Sequence, residues 1–216
     1  MFQADMLKYC IIINLIFVSV LQIAHAEETV NLLDKYLDGL DNVQANFKQT
    51  LLNENGIEIE TSSGIVYMQR PGKFRWDYKE PYTQMIITDG QTLWLYDEDL
   101  EQVTIRDISK SIEDTPAAIL SGQDNINEVF VIIDMGDIDG FRWIELTPRD
   151  IENQYSSVRL GFDKNDLGMM ILFDNLGQVT RIDFSETQRN GELDNTLFTF
   201  DPPAGIDVID DRGLTE

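Results

Sequence analysis

The spacing of apolar positions predicts one amphipathic helix near residue 30. Val30, Leu33, Leu37 and Leu40 recur at helical spacing, and Thr29 before them is a suitable N-cap. Side chains at this spacing lie along one side of a helix. The helix is therefore expected to bury a single apolar stripe against the rest of the fold.

A long antiparallel meander is predicted from Val43 to Asp107, because short apolar runs there are separated by turn-forming residues. The predicted turns are Asn55-Gly56, Pro71-Gly72, Glu80-Pro81, Asp89-Gly90 and the acidic tip Asp97-Glu98-Asp99. Strands resume from Val129 to Phe184, with breaks at Asp139-Gly140, Pro148-Arg149, Asn165-Asp166 and Asn175-Leu176-Gly177. The tail "FTFDPPAGIDVID" adds a last strand, which brings the expected total to roughly ten.

The stretch "FRWDY" shows the clearest alternation along a strand. One predicted face is apolar and buried, and it carries Phe74, Trp76 and Tyr78. The other is polar and exposed to solvent, and it carries Arg75, Asp77 and Lys79. An aromatic stripe of this kind is typical of core packing and also of the wall of an apolar cavity. Both interpretations stay open at this point.

A second helix is predicted where Thr115 as N-cap and Pro116 in the first turn precede the run "AAILS", which Gly122 ends. A sheet of many strands curls and hides its edges by closing fully or partly. Two isolated helices would then cover the open side. We therefore expect a mainly β fold with a few helices, an incomplete antiparallel β-barrel that encloses a hydrophobic cavity under a helical lid.

The first residues have the features of a secretory signal peptide. Lys8 precedes the apolar run "YCIIINLIFVSVLQI", and Ala24-His25-Ala26 has the small-x-small pattern of a cleavage site. Met6 would serve as a start as well as Met1. We expect residues 1–26 to be removed on export, which leaves residues 27–216 as a single domain.

Charge and composition exclude several classes of function. The chain has 39 acidic and 16 basic residues and a net charge of -23, so it should repel nucleic acid and anionic membranes. Cys10 and His25 are the only cysteine and histidine, and both lie before the cleavage site. The mature chain is therefore not expected to hold a cysteine or histidine nucleophile, a zinc site or a disulfide.

Two acidic constellations offer alternatives. Asp97 and Asp99 form a pair of the kind that glycosidases use, although close pairs also arise by chance in so acidic a chain. The stretch "DMGDIDGFRWIE" resembles a calcium loop, but aligning Gly140 with the loop glycine places Met135 and Leu146 at ligand positions. A turn is the better interpretation, and neither a catalytic residue, a metal site nor a cofactor is expected.

Arg70 is the basic residue with the most informative position. It shares its strand face with Val66 and Met68, so on an inner face its guanidinium would lie at the rim of an apolar interior and need acceptors. Backbone carbonyls at the end of a covering helix would supply them. On an outer face, Arg70 would form an ordinary surface ion pair.

Four motifs in order give the chain a specific resemblance: "RPGKFRWDY", "ITDGQTLWLYDEDLEQVTI", "TPAAIL" and "FTFDPPAGIDVID". Together they resemble the periplasmic outer-membrane lipoprotein carriers of Gram-negative bacteria, the LolA family. The resemblance covers nearly all of the mature chain. It implies an incomplete barrel with a helical lid over a cavity that holds the acyl chains of lipoproteins. Ala117 and Ala118 stand where bulkier lid residues would be unsurprising.

The resemblance also implies roles for individual residues. The arginine of the "RP" motif, Arg70 here, would latch the lid through backbone carbonyls, with lid partners near Leu37, Leu120 and Ser121. The cavity would be lined by Phe74, Trp76, Tyr78 and Ile119.

The implied partners are acylated lipoproteins, an inner-membrane ATP-driven transporter that loads the carrier and an outer-membrane receptor that unloads it. A monomer is the simplest state for such a carrier. The alternative is a periplasmic lipid-binding or envelope-stress-sensing module of the same fold.

Overall fold

The computed structural model describes residues 32–108, 126–150, 153–164 and 166–212, and within them the chain is mainly β with two short helices. Helix α1 covers residues 32–37, and α2 is Ile126–Val129. The strands are β1 (Asn42–Leu52), β2 (Glu58–Gln69), β3 (Lys73–Glu80), β4 (Gln84–Thr88), β5 (Thr92–Asp97), β6 (Gln102–Asp107), β7 (Phe130–Ile138), β8 (Phe141–Pro148), β9 (Tyr155–Asp163), β10 (Asp166–Asp174), β11 (Val179–Arg189) and β12 (Asp207–Asp210).

All twelve strands form one sheet in the order β12-β6-β5-β4-β3-β2-β1-β11-β10-β9-β8-β7. The sheet thus has more strands than the roughly ten expected. Two meanders, β1 to β6 and β7 to β11, are joined through the antiparallel pairing of β1 with β11. The last strand, β12, pairs with β6 in parallel, which also departs from the all-antiparallel expectation. The sheet is curled and open, with β12 and β7 at its edges, so the incomplete barrel is confirmed.

The predicted turns separate the strands because their residues favour tight reversals. Pro71 and Gly72 lie between β2 and β3, and Glu80 ends β3 before Pro81. Gly56 closes the turn between β1 and β2 with a φ of +73°, a conformation that glycine adopts without strain. The turn dipeptides thus fix where each strand of the first meander ends.

One face of the sheet carries the main core. Its buried side chains come from strands on both sides of β1 and pack together with Leu33, Tyr36 and Leu40 of the α1 segment. Leu93 of β5 and Ile144 of β8 belong to the same cluster, although many strands separate them in the sheet. This face is therefore the concave one, and α1 lies in it.

The opposite face carries a second, smaller cluster of Tyr96, Val103 and Ile105. Phe200 and Ile206 of the C-terminal segment pack against it, after a 3-10 turn at Asn195–Phe198. The C-terminal segment also reaches the face of β3 that was expected to be exposed to solvent. Arg75 lies under the segment, half-buried, where it pairs with Asp77 at 2.7 Å and donates to the Leu197 carbonyl. The polar face of β3 is thus partly buried, because the C-terminal segment packs over it.

The first predicted helix is present as α1, and its predicted stripe is buried in part: Leu37 is only partly buried, and Tyr36, which was not in the predicted stripe, is buried beside it. Leu33 and Tyr36 are almost fully buried, and Leu40 is buried just after the helix ends. Thr29 and Val30, the predicted start, lie outside the described residues. So does the whole of the second predicted helix, from Thr115 to Gly122.

Candidate functional site

The candidate site is the concave face beneath α1. Phe74 and Trp76 of β3 are 1% and 4% exposed, and Tyr78 is partly buried on the same face. The alternation of side chains along β3 places all three on this face. Phe74 and Trp76 pair with Met68 and Val66 of β2, and both of these β2 residues are also buried. The three aromatic residues that the sequence singled out therefore lie in one row along the concave face.

These aromatic side chains pack against Phe47 of β1. The Phe47 ring centroid lies 4.7 Å from that of Trp76 and 5.0 Å from that of Tyr78, both in edge-to-face geometry. Trp76 also approaches Phe184 of β11 at 6.3 Å. Aromatic pairs at these distances add to the stability that burial alone provides. The row extends across β3, β1 and β11 as a continuous apolar surface.

Tyr78 and Tyr36 each bring a hydroxyl group to this surface. The Tyr78 hydroxyl donates to Gln49 Oε1 at 3.1 Å, and burial raises the pKa of Tyr78 to about 12. Burial likewise raises the pKa of Tyr36, on α1, to about 12. Both side chains are therefore uncharged at neutral pH, and the concave face gains no charge from them.

Arg70 lies at the rim of this face, next to the end of α1. Its Nη1 atom donates to the carbonyl oxygen of Leu37 at 2.8 Å, and its backbone N–H donates to the carbonyl of Asp41. The last carbonyls of a helix lack partners within the helix and carry its negative dipole end. A guanidinium is well suited to this place, since it brings both donors and positive charge.

The sequence did not predict a second arginine at the same helix end. Arg189, the last residue of β11, donates from Nη2 to the carbonyl of Tyr36 at 2.7 Å, and its guanidinium carbon lies 4.8 Å from the Tyr36 ring centroid. It reaches α1 because β11 and β2 flank β1, so that the ends of both strands meet there. The paired residues of β1 and β11 are about 140 positions apart in sequence, and no local pattern predicts that they pair.

Asn190 completes the polar contacts at this end. Its Oδ1 atom accepts from the backbone N–H groups of Asp41 and Asn42, and its Nδ2 atom donates to the carbonyl of Gly39. A signal for this residue does exist in the sequence. Asn190-Gly191 is a strong turn dipeptide, and asparagine readily adopts the positive φ of +54° found here.

The remaining site predictions have different outcomes. Leu37 is the one lid partner within the described residues, and it contacts Arg70 through its carbonyl. Ile119, Leu120 and Ser121 lie outside the described residues. The roles of latch and cavity wall stay predictions, although the geometry around Arg70 and the aromatic row suits them.

The alternative acidic sites have local structural explanations. Asp97 accepts from Gln84 Nε2 and from the backbone N–H of Leu100, so it shapes the turn after β5. In the calcium-like stretch, Asp134 and Asp137 both pair with Arg142, within the β7–β8 hairpin. Among the described residues, no group of three or more histidine, cysteine or acidic side chains is placed to hold a metal ion.

None of the helices that the structure describes is long and apolar enough to cross a bilayer.

Comparison with known proteins identifies the family. Residues 38–201 match the family described as outer membrane lipoprotein carrier protein LolA. An outer-membrane lipoprotein carrier protein of Nitrosomonas europaea is 45% identical over 170 residues, which cover 78% of this chain and 82% of the relative. The corresponding protein of Methylococcus capsulatus is 43% identical over 180 residues, or 83% of this chain and 86% of the relative.

A solved structure supports the fold. The crystal structure of an uncharacterized conserved protein from Thermus thermophilus superposes with a TM-score of 0.54 at 13% identity, covering 86% of this chain and 98% of its own. At that identity the likeness concerns the fold alone. The family match and the curated relatives, by contrast, span most of the sequence. The chain therefore belongs to the outer-membrane lipoprotein carrier family, LolA.

Proposed function

We propose that this protein carries lipoproteins across the periplasm by sheltering their acyl chains on the concave face of its sheet. The observation that supports this most is the position of α1. The helix packs Leu33 and Tyr36 into an apolar concave surface, yet it is fastened there at its C-terminal carbonyls by polar side chains. An element held in this way can leave without dismantling the sheet.

The energies fit such an exchange. A palmitoyl chain buries about 15 methylene-type groups at about 0.8 kcal/mol each, or on the order of 12 kcal/mol. A charge-assisted hydrogen bond such as that from Arg70 to Leu37 contributes about 1.5–3 kcal/mol. The apolar contacts that α1 gives up are replaced by contacts with the acyl chains. Acyl binding therefore competes well with the closed position of the helix.

In this proposal, Arg70 is the latch of the lid and Leu37 supplies its acceptor. Phe74, Trp76 and Tyr78 are the wall against which acyl chains lie. The protein acts as a binding protein and catalyses no reaction. Its sequence contains no GxxxxGK[ST] phosphate loop, so energy for loading would come from an ATP-driven transporter in the inner membrane.

Residues 1–26 would be the cleaved signal peptide and residues 27–216 the exported carrier, a monomer in the periplasm. A receptor at the outer membrane would accept the cargo. The acidic surface would favour partners with basic docking patches, since complementary charge speeds association.

Co-elution tests the proposed function. The mature protein from Glu27 is mixed with a triacylated lipoprotein or with its unacylated form, detergent is removed, and the mixtures are separated by gel filtration. We expect a soluble one-to-one complex with the acylated form only, because the acyl chains supply most of the binding free energy. Equal binding of both forms, or of neither, would contradict the carrier function.

A further inference from the structure

The concave face changes from apolar to polar along its central strands. On β1, the side chains on this face run from Val43 and Phe47, which are buried, to Gln49. On β2, which runs the opposite way, they lead from the buried Val66 back to Ser62, a polar residue that is only 6% exposed. Alternate residues of a strand share a face. Both strands therefore become polar toward the same end of the sheet, the end farther from α1.

Three polar side chains meet there, and we call Gln49, Ser62 and Tyr78 the polar band. Gln49 and Ser62 are direct partners in the pairing of β1 with β2, so their side chains lie next to each other on one face. The Tyr78 hydroxyl donates to Gln49 Oε1 from β3 at 3.1 Å. Glu60, two residues before Ser62, is exposed. The polar band thus lies between the apolar part of the concave face and solvent.

The chemistry of the polar band is dominated by hydrogen-bond donors. Gln49 has two amide N–H groups, and Ser62 and Tyr78 each have a hydroxyl that can donate. A hydrocarbon chain lying over these groups would remove them from water and offer no acceptor, which costs free energy. A ligand that brings carbonyl oxygens to this level avoids that cost.

The lipid of an acylated cysteine carries carbonyl oxygens at one end. Each acyl chain begins with the carbonyl of an ester or an amide, and the rest of the chain is hydrocarbon. From Ser62 to Met68, β2 spans about 20 Å at about 3.4 Å per residue. An acyl chain needs about 15 Å, half of a bilayer hydrocarbon core of about 30 Å. The apolar part of the face can therefore hold a whole chain whose carbonyl lies at the polar band.

We infer that the polar band binds the ester and amide carbonyls of the acylated cysteine, and that the acyl chains run from there toward Val43 and Met68. The inference rests on the proposed function and adds the direction of the cargo to it. The Gln49 amide and the Ser62 hydroxyl donate to the carbonyls. Tyr78 is a positioning residue, because its hydroxyl orients the Gln49 amide. The polypeptide of the cargo then leaves the face at the end farther from α1.

Competition between two lipopeptides tests the polar band. Both are the same N-acetylated cysteinyl peptide with an S-glyceryl group, which carries palmitoyl esters in one probe and hexadecyl ethers in the other. The mature protein is loaded from an equimolar mixture, and the bound probes are quantified by mass spectrometry. We expect the ratio of bound ester probe to bound ether probe to be about tenfold higher for the wild type than for Gln49→Leu or Tyr78→Phe, because the ether leaves donors unpaired.

The comparison between proteins isolates the polar contact, since the two probes differ in hydrophobicity by the same amount in every mixture. Gln44→Leu is the matched control, because Gln44 is also on β1 but its side chain lies on the opposite face. It should keep the wild-type ratio. Tyr78→Phe keeps the aromatic ring and loses only the hydroxyl, so it still tests the polar band if Gln49→Leu fails to fold.

Two results would overturn the polar band as the carbonyl site. One is an equal ratio of bound probes in the wild type, Gln49→Leu and Tyr78→Phe. The other comes from an ester probe with a diazirine at the methyl end of its chain: it should label the region of Val43 and Met68, and labelling of the polar band instead would reverse the direction. Either result is compatible with a working carrier. Failure to bind both probes would contradict the carrier function itself, and the polar band with it.

Discussion

Replacing Arg70 with leucine should open the lid of the empty protein and impair delivery of cargo. The variant loses the hydrogen bond to the Leu37 carbonyl, about 1.5–3 kcal/mol, which corresponds to roughly a 10- to 100-fold larger open fraction. Binding of a hydrophobic dye should rise accordingly. Because closure of the lid competes with the acyl chains, its loss should also strengthen retention of cargo. We expect transfer to the receptor to fall at least tenfold while the acylated complex still forms.

Arg106→Leu is a suitable control for this experiment. Arg106 is near the sheet edge, about half exposed, and its one described ion pair is with Asp211 at 3.6 Å. It should bind dye and transfer cargo like the wild type, because exposed ion pairs contribute little. An Arg70→Leu variant with unchanged dye binding and normal transfer would show that Arg70 is not a latch.

Replacing Gly64 with alanine should have the largest effect on stability. A Cβ atom on Gly64 would lie 1.9 Å from the carbonyl oxygen of Asp77 and 3.0 Å from the Phe47 ring. The first contact is with backbone, so β2 and β3 must move apart, and the second disturbs the aromatic row of the concave face. Overpacking in a core typically costs about 1–3 kcal/mol, and a clash with backbone belongs at the upper end. Chemical denaturation should show the loss.

Gly191→Ala provides the comparison for Gly64→Ala. Nothing lies within 4 Å of a Cβ built on Gly191, and its φ is not in the left-handed region. Its free energy of unfolding should match the wild type within about 0.5 kcal/mol. If Gly64→Ala is equally well tolerated, the strands are less tightly packed beside the aromatic row than the structure indicates.

Much of the concave face could be predicted because its signals are local. Turn dipeptides marked the strand ends, and the period-2 alternation of β3 placed Phe74, Trp76 and Tyr78 on one side. The same alternation, continued along β2, predicted that Arg70 lies on the face of Val66 and Met68. In the structure Arg70 lies at the rim of that face, beside α1. The alternation of apolar and polar residues predicts side-chain orientation reliably when one face of a strand is buried.

The rest depended on contacts between distant parts of the chain. Nothing near β1 predicts that it pairs with β11, so Arg189 could not be placed beside Tyr36. The return of the C-terminal segment, which half-buries Arg75, is also a long-range event. The parallel pairing of β12 with β6 was missed for the same reason, because the direction of a pairing is set by tertiary connections.

The most direct test of the account is to locate the acyl chains by photo-crosslinking. Tyr78 and Trp94 are both partly buried aromatic residues on strands, but Tyr78 packs in the concave cluster and Trp94 in the cluster on the opposite face. p-Benzoylphenylalanine at either position is irradiated in the presence of triacylated lipoprotein. We predict an acyl-dependent crosslink from position 78 and none from position 94. Equal crosslinking from both, or crosslinking from position 94 alone, would contradict binding on the concave face.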